Sequence, residues 1–152
     1  MPQITIRKAG TADAAAVRKL MVELDAVMAG GHDLSAEAIT KTLERMEVFP
    51  EVYLNYLAEE EGNALGFVSA VVYKTFFHHG GTMLINELVV SAGARGRGVG
   101  RLLLEAMTDR ARQLQLDEIE VGTTTDNSAA ISFYKNNGLT DASVLLGKEL
   151  HE

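Results

Sequence analysis

The sequence predicts an α+β fold in which a mixed, mostly antiparallel sheet of six to seven strands is flanked by about four helices. Two observations carry this prediction. Three strand patterns follow one another in the middle of the chain and are joined by short turns, which is typical of antiparallel pairing. An amphipathic helix pattern then connects the third of these strands to a further strand, and such a crossover indicates a parallel pair.

Two helix patterns occupy the N-terminal part of the chain. Thr11 or Asp13 can cap a first helix that runs to about Met28, with apolar residues along one stripe. A Gly-Gly pair ends it. Ser35 then precedes a second helix that continues to about Met46.

The strand patterns rest on alternating or continuous apolar residues. A short strand is predicted at residues 4–6, and three more at residues 52–58, 64–77 and 83–90. The acidic run Glu59-Glu60-Glu61 lies between two of them, and it is most simply a solvated hairpin tip. The last of the four is the most apolar.

A long helix and a shorter one follow in the C-terminal half. Apolar residues recur at helical spacing over residues 99–116, and a strand is indicated at residues 119–121. A second helix is predicted over residues 127–137, closed by a glycine. Leu139 and residues 143–150 are expected to supply a final strand or two, which completes the six to seven strands.

Composition narrows the class of protein. The chain has 152 residues, so residues 1–152 are expected to form a single domain. A net charge of −7 argues against nonspecific binding to nucleic acid or anionic membranes. The chain has no Cys, and its four His lack metal-ligand spacing, so neither a disulfide nor a metal site is expected. Without an apolar run of membrane length or a signal-peptide core, a cytoplasmic protein is expected.

The segment Gly93–Arg101, G-A-R-G-R-G-V-G-R, carries the clearest chemical signal. It follows an apolar strand and opens a helix, so it offers free backbone N–H groups at the positive end of a helix dipole. Glycines let a ligand approach the backbone closely. Three arginines and no acid lie in this stretch, which indicates an anion site, most simply for a pyrophosphate. The alternative is a flexible glycine turn with solvated arginines.

Two common nucleotide motifs do not fit this loop. A dinucleotide fingerprint needs a third glycine where Arg101 stands, and a P-loop needs a lysine where Val99 stands. The pattern that remains is R-x-x-G-x-G, which Arg95, Gly98 and Gly100 fulfil.

Two stretches resemble motifs of one enzyme family. The stretch INELVVSAGARGRGVGRLLLEAM resembles the acetyl-CoA-binding motif of the GCN5-related N-acetyltransferase (GNAT) superfamily, a strand followed by a [RQ]-x-x-G-x-[GA] loop and a helix. The later stretch TTTDNSAAISFYKNNGL resembles the second motif of that family, N-x-x-A-x-x-F-Y-x-x-x-G-F. Leu139 departs conservatively from the final Phe of that motif. With the order of elements, the resemblance covers essentially Ile4–Leu150.

The resemblance implies where acetyl-CoA binds. In the family, the strand before the glycine loop splays from the next strand, and the pantetheine arm of the cofactor pairs with the exposed strand edge as an extra strand would. The loop N–H groups hold the pyrophosphate. Asn127 matches a position that contacts the cofactor arm, or it is a plain helix N-cap. The implied cofactor-binding residues are Leu88, Val89, Val90, Arg95, Gly96, Arg97, Gly98, Val99, Gly100, Arg101 and Asn127, although the Arg97 side chain could equally point to solvent.

Tyr134 and Glu87 are the implied catalytic residues. Tyr134 matches a tyrosine near the thioester sulfur, where a phenol can protonate the departing thiolate; alternatively it is a buried aromatic. Glu87 is the candidate base that deprotonates the amine, since a lone carboxylate in an apolar strand has a raised pKa. It could instead pair with an arginine or anchor the ammonium of the substrate. A strand N–H, at Val89, would stabilise the oxyanion.

The resemblance therefore implies an acetyl-CoA-dependent N-acetyltransferase that acts on a primary amine of a small molecule or peptide. Without Cys, the acetyl group must pass directly in a ternary complex. The alternatives are a non-catalytic module that binds CoA or acetyl-CoA, and a nucleotide enzyme that binds phosphate. In the family, the acceptor is selected by regions that correspond to residues 25–46 and 76–82. The acidic residues of the first region are compatible with a cationic amine, although they are more simply a solvated acidic face. Members often form homodimers.

Overall fold

The computed structural model describes residues 3–28 and 30–151. Its elements, with two short 3-10 turns at Thr11–Asp13 and Ala92–Ala94, are β1 (Thr5–Lys8), α1 (Ala14–Val27), α2 (Ala36–Glu47), β2 (Tyr53–Glu60), β3 (Asn63–Tyr73), β4 (Thr82–Val90), α3 (Val99–Gln113), β5 (Glu118–Val121) and α4 (Ser128–Asn136). Over the described part, no helix is both long and apolar enough to cross a membrane.

The strands form one mixed sheet in the order β1-β2-β3-β4-β5. The first four strands pair antiparallel, whereas β4 and β5 run parallel. One apolar core lies between the sheet and α3, and a second lies between the opposite face of the sheet and helices α1 and α2. The predicted α+β class and its mostly antiparallel sheet with one parallel pair are confirmed.

The predicted number of strands is wrong. The described residues contain five strands, because residues 140–151 make no strand ladder and are exposed along their length. We call residues 143–150 the C-terminal segment. Its apolar side chains are at least 80% exposed, namely Val144, Leu145, Leu146 and Leu150. Apolar pattern alone cannot make a strand, which also requires a neighbouring strand to supply hydrogen bonds.

Side-chain caps are present at the starts of α2 and α4, as predicted, but the predicted cap of α1 is absent. The hydroxyl of Ser35 accepts from the Ala38 N–H at 3.2 Å, and the side-chain oxygen of Asn127 accepts from the Ala130 N–H at 3.1 Å. Asp13 precedes α1 but makes no such cap bond. Its carboxylate instead pairs with Arg7 at 2.6 Å and accepts from the Gly10 N–H.

Two strand boundaries also differ from prediction. β2 and β3 extend through the acidic run and are joined by a tight turn at Glu61 and Gly62, both with positive φ, as such two-residue hairpin turns require. β3 ends at Tyr73 instead of residue 77. Beyond it, Phe76 and Phe77 are 97% and 94% exposed, so their aromatic character does not reflect a strand.

A bulge in β4 decides which side chains face which helices. Ser69 pairs with Glu87, whereas the next residue of β3 pairs with Ile85, so Asn86 is an extra residue in β4. Ile85 and Leu88 therefore both pack toward the α3 core, while Val89 packs into the α1–α2 core. Glu87 shares the face of Val89, because alternation resumes after the bulge.

Candidate active site

β4 and β5 separate partway along β4. Their parallel register runs from the Thr82–Glu118 pair to the Ile85–Val121 pair and then ends. Residues 86–90 of β4 continue without a described partner on that edge. Their outward N–H and C=O groups are therefore available to an extended ligand.

A cleft of about 490 Å³ opens beside this edge, between the end of β4, the glycine loop and α4. No acidic residue lines it, and its charged lining residues are two arginines. The lining consists of Leu88, Val90, Ala94, Arg95, Gly96, Gly98, Val99, Gly100, Arg101, Ala130, Phe133 and Tyr134.

The glycine loop aims the start of α3 at this cleft. Gly96 and Gly98 have φ values of 80° and 79°, a region that favours glycine. Gly98 is the N-cap of α3, and its carbonyl accepts the first helical bond from Leu102. The N–H groups of residues 99–101 precede that bond and have no partner within the helix, so they are free for an anion.

Gly100 allows α4 to lie directly against the first turn of α3. A Cβ atom at this position would come within 3.2 Å of the Phe133 ring. The Phe133 and Tyr134 rings pack edge to face with centroids 5.3 Å apart. This contact brings Tyr134 to the cleft, and burial raises the pKa of Tyr134, so its phenol stays protonated at neutral pH.

Glu87 lies on the opposite face of the sheet from Tyr134. It is half-buried, and burial raises its pKa above the ordinary value for a glutamate. A group that enters the split between β4 and β5 would have the face that carries Tyr134 on one side and the face that carries Glu87 on the other, although Glu87 does not line the cleft.

Glu87 ends a polar row that the sequence analysis missed. In the sheet register Asn55 on β2 pairs with Ser69 on β3, and Ser69 pairs with Glu87. Asn55 and Ser69 are buried, and the side-chain oxygen of Asn55 has no hydrogen-bond partner. A buried acceptor of this kind calls for a water or ligand donor. The only sequence signal is a polar residue within an apolar strand, and the row emerges only from the register.

Three of the predicted cofactor-binding residues do not line the cleft. Val89 is buried in the α1–α2 core, and the side-chain oxygen of Asn127 is used as the cap of α4. The guanidinium of Arg97 pairs with Glu60 at 2.5 Å. The residues that line the cleft without having been predicted as cofactor-binding are Ala94, Ala130, Phe133 and Tyr134; the last three belong to the second motif, and Tyr134 was predicted as catalytic.

The acidic side chains around the site are largely engaged locally. The hairpin tip is not simply solvated, since Glu59 pairs with Arg7 and Glu60 with Arg97. Between α1 and α2, Asp25 pairs with His32 at 2.5 Å. The described residues contain no group of three or more His, Cys, Asp or Glu side chains that could hold a metal ion.

Comparison with known proteins identifies the family. A model of the Acetyltransferase (GNAT) family matches residues 23–139, which include β4, the glycine loop and α4. The chain belongs to the GNAT acetyltransferase family. An uncharacterized N-acetyltransferase of Bacillus subtilis, YhfO, is 35% identical to it over 89% of both chains. The L-2,4-diaminobutyric acid acetyltransferase of Virgibacillus pantothenticus is 28% identical over 76% of this chain and 65% of that protein.

Solved structures of GNAT proteins share the fold. A possible acetyltransferase from Clostridium difficile superposes with a TM-score of 0.83 over 98% of both chains, at 13% identity. The aminoglycoside N-acetyltransferase AAC(6')-Iy in complex with CoA superposes with a TM-score of 0.81 over 99% of this chain and 97% of that chain, at 17% identity. A protein of the same fold has thus been solved with CoA bound.

The GNAT loop is expected to depend on the left-handed conformation of Gly98. Gly98→Ala would force a residue with a Cβ into that region, at a cost of roughly 1–2 kcal/mol, and would shift the N–H groups of residues 99–101. We expect lower thermal stability and weaker acetyl-CoA binding, measured by differential scanning calorimetry and isothermal titration calorimetry.

Gly93→Ala is the matched control for this loop. Gly93 has no positive φ, and a Cβ at either glycine meets nothing closer than 4.0 Å, so the two substitutions differ in backbone conformation. Equal losses of thermal stability and acetyl-CoA affinity in Gly93→Ala and Gly98→Ala would show that neither property depends on the left-handed conformation of Gly98.

Proposed function

We propose that this protein is an acetyl-CoA-dependent N-acetyltransferase that acetylates a primary amine of a small molecule or peptide by direct attack in a ternary complex. The observation that carries the proposal is the placement of Tyr134 and Glu87 on opposite sides of the split between β4 and β5. Residues 1–152 form its single domain, and it works in the cytoplasm as a homodimer.

The cleft suits the phosphate end of acetyl-CoA. Free N–H groups of residues 99–101 and the side chains of Arg95 and Arg101 supply donors and positive charge, and no carboxylate lines the cleft. Arg101 also pairs with Glu105 at 3.9 Å on the exposed surface of α3. The unpaired edge of residues 86–90 suits the amides of the pantetheine arm. Acetyl-CoA, when bound, supplies an activated thioester.

In this proposal Glu87 accepts a proton from the amine, and Tyr134 donates a proton to the leaving sulfur. An amine arrives as an ammonium, and the Glu87 carboxylate accepts one of its protons, either directly or through a water, which frees the nitrogen lone pair. The new C–N bond forms at the carbonyl carbon and the C–S bond breaks. The Tyr134 phenol gives its proton to the departing sulfur, so that CoA leaves as a thiol. The nitrogen, now bonded to the acetyl carbon, releases its second proton, which restores the phenol directly or through a water.

The polar row supports an acceptor that donates hydrogen bonds. Asn55 has an unpartnered buried oxygen, Ser69 a hydroxyl and Glu87 a carboxylate, and each can accept a hydrogen bond from an N–H donor. Relatives named for diaminobutyric acid and for aminoglycosides act on amine-bearing small molecules. These relatives favour a small polyfunctional amine as the acceptor.

A two-part experiment tests the proposal. Acetyl-CoA binding is measured by calorimetry, and a panel of diamines, amino sugars and peptides is then screened for release of free CoA thiol. We expect binding together with amine-dependent thiol release and an acetylated product detected by mass spectrometry. Binding without turnover of any amine would favour the non-catalytic module, and thermal protection by ATP or NAD without protection by CoA would favour a nucleotide enzyme.

A further inference from the structure

The polar row contains a buried acceptor that the described side chains leave unsatisfied. Asn55 and Ser69 are only 9% and 4% exposed, and the side-chain oxygen of Asn55 has no hydrogen-bond partner among the described residues. An oxygen left unpaired in this way costs more free energy than it takes to order a water molecule beside it. The Asn55 end of the row therefore favours a small bound donor.

Helix α2 covers this end of the row and restricts what can reach it. The Asn55 side-chain nitrogen donates to the sulfur of Met46, in the last turn of α2, at 3.4 Å. This contact holds the Asn55 amide with its nitrogen toward the helix, which leaves the oxygen for another partner. Because the helix encloses the amide, water is the donor whose size suits the site.

Ser69 is the shortest side chain of the row and lies between two longer ones. The strand register places it opposite Asn55 on one side and opposite Glu87 on the other. Residues paired in this way have Cβ atoms roughly 4.5–5.5 Å apart. All three side chains lie on the face of the sheet that carries Val89 and Phe67. The space above the Ser69 hydroxyl is therefore bounded by the Asn55 oxygen and the Glu87 carboxylate.

One water in this space would have a complete set of partners. It would accept a hydrogen bond from the Ser69 hydroxyl, and donate one hydrogen to the Asn55 oxygen and the other to the Glu87 carboxylate. Three hydrogen bonds are about the usual number for a buried water. The bond to the carboxylate is charge-assisted, so it restricts the orientations that the Glu87 side chain adopts.

The charged groups of the neighbouring elements leave Glu87 to this row. Burial raises the pKa of Glu87, and no described charged side chain contributes to the shift. Toward the row, α2 presents Met46. The acidic side chains of α1 and of the same face of β5 have other partners: Glu23 accepts from the Ala92 N–H, Asp25 bonds to His32, Glu118 to Thr82 and Glu120 to Tyr73.

We propose that Asn55 and Ser69 are positioning residues that hold one water molecule against the Glu87 carboxylate and so fix the orientation of that carboxylate. The inference rests on the proposed function for the role of Glu87 as the base, whereas the water site depends only on the polar row. A titration of Glu87 without any substrate therefore tests the site even where acetyl transfer fails.

The titration of Glu87, followed by NMR at its side-chain carboxyl carbon, tests the water site. A hydrogen bond from water favours the ionised carboxylate, so loss of the water should move the titration to higher pH. We expect this shift in Ser69→Ala and in Asn55→Leu, with Asn55→Val as the substitute where the larger side chain does not fold. The control is Thr82→Val, which removes another buried hydroxyl from the same face and should leave the titration unchanged.

The two row variants must change together. Circular dichroism first establishes that each variant is folded. A titration of Glu87 that stays as in the wild type in both folded variants would overturn the proposal. A shift in Ser69→Ala alone would assign a direct bond from Ser69 to Glu87 and would refute the water.

Steady-state kinetics separates positioning from binding of the acceptor. With an active amine, both row variants should lower kcat by up to about 10²-fold and leave KM for the amine unchanged. The rise of kcat with pH should move to higher pH together with the titration of Glu87. A raised KM for diamines but not for monoamines, with an unchanged titration, would instead place a second amino group of the acceptor at Asn55 and contradict the proposal.

Discussion

Tyr134→Phe is expected to lower kcat for acetyl transfer by about 10²–10⁴-fold while leaving acetyl-CoA affinity unchanged. The substitution removes the hydroxyl that we propose as the acid for the departing sulfur but keeps the ring that packs against Phe133. Steady-state kinetics with the best amine of the panel, together with calorimetric binding of acetyl-CoA, separates the two effects.

Tyr73→Phe is the matched control for Tyr134→Phe. The Tyr73 hydroxyl bonds to Glu120 outside the cleft, so its loss should leave kcat unchanged. Because burial raises the pKa of Tyr134, any loss of activity from its ionisation should begin at a higher pH than for an exposed tyrosine. A Tyr134→Phe enzyme with wild-type kcat would exclude Tyr134 as the acid.

Glu87→Gln is expected to lower kcat by about 10²–10⁴-fold, since the amide keeps the shape of the side chain but cannot accept the proton. In the wild type, kcat should rise with pH as Glu87 ionises, and burial places this rise above the ordinary pKa of 4.5. The rise should be absent in the variant. A Glu87→Gln enzyme that keeps both the wild-type kcat and the rise of kcat with pH would instead indicate that Glu87 anchors the ammonium of the substrate.

Stability provides a second measurement for Glu87 that does not depend on activity. Its pKa is raised in the folded state, so the folded protein binds the proton more tightly than the unfolded chain does. The free energy of unfolding of the wild type therefore falls as pH rises from 4.5 through the folded pKa. Above that window Glu87→Gln should gain stability relative to wild type, whereas Glu105→Gln, on the exposed surface of α3, should show no such gain.

Local signals in the sequence predicted well the helix starts that border the cleft. The helix start after Gly98 and the cap at Asn127 depend on residues within a few positions of each other, so they are readable without the fold. Arg97 was harder to place, because its partner Glu60 lies on a distant hairpin.

The polar row depends on strand pairing and could not be predicted in the same way. The row from Asn55 through Ser69 to Glu87 exists only in the register of three strands. The C-terminal segment has the pattern of a strand, but whether it becomes one depends on a partner edge, which no local pattern encodes.

The extra residue Asn86 fixes the face of the sheet that Glu87 occupies. If the same residues of β4 paired with β3 without the bulge, regular alternation would turn Glu87 toward the α3 core and Leu88 away from the cleft. Deletion of Asn86 itself would remove the bulge and leave both side chains on their present faces, whereas a residue inserted between Asn86 and Val90 would invert every side chain beyond it. Natural variants should therefore lose Asn86 more readily than they gain a residue in this part of β4.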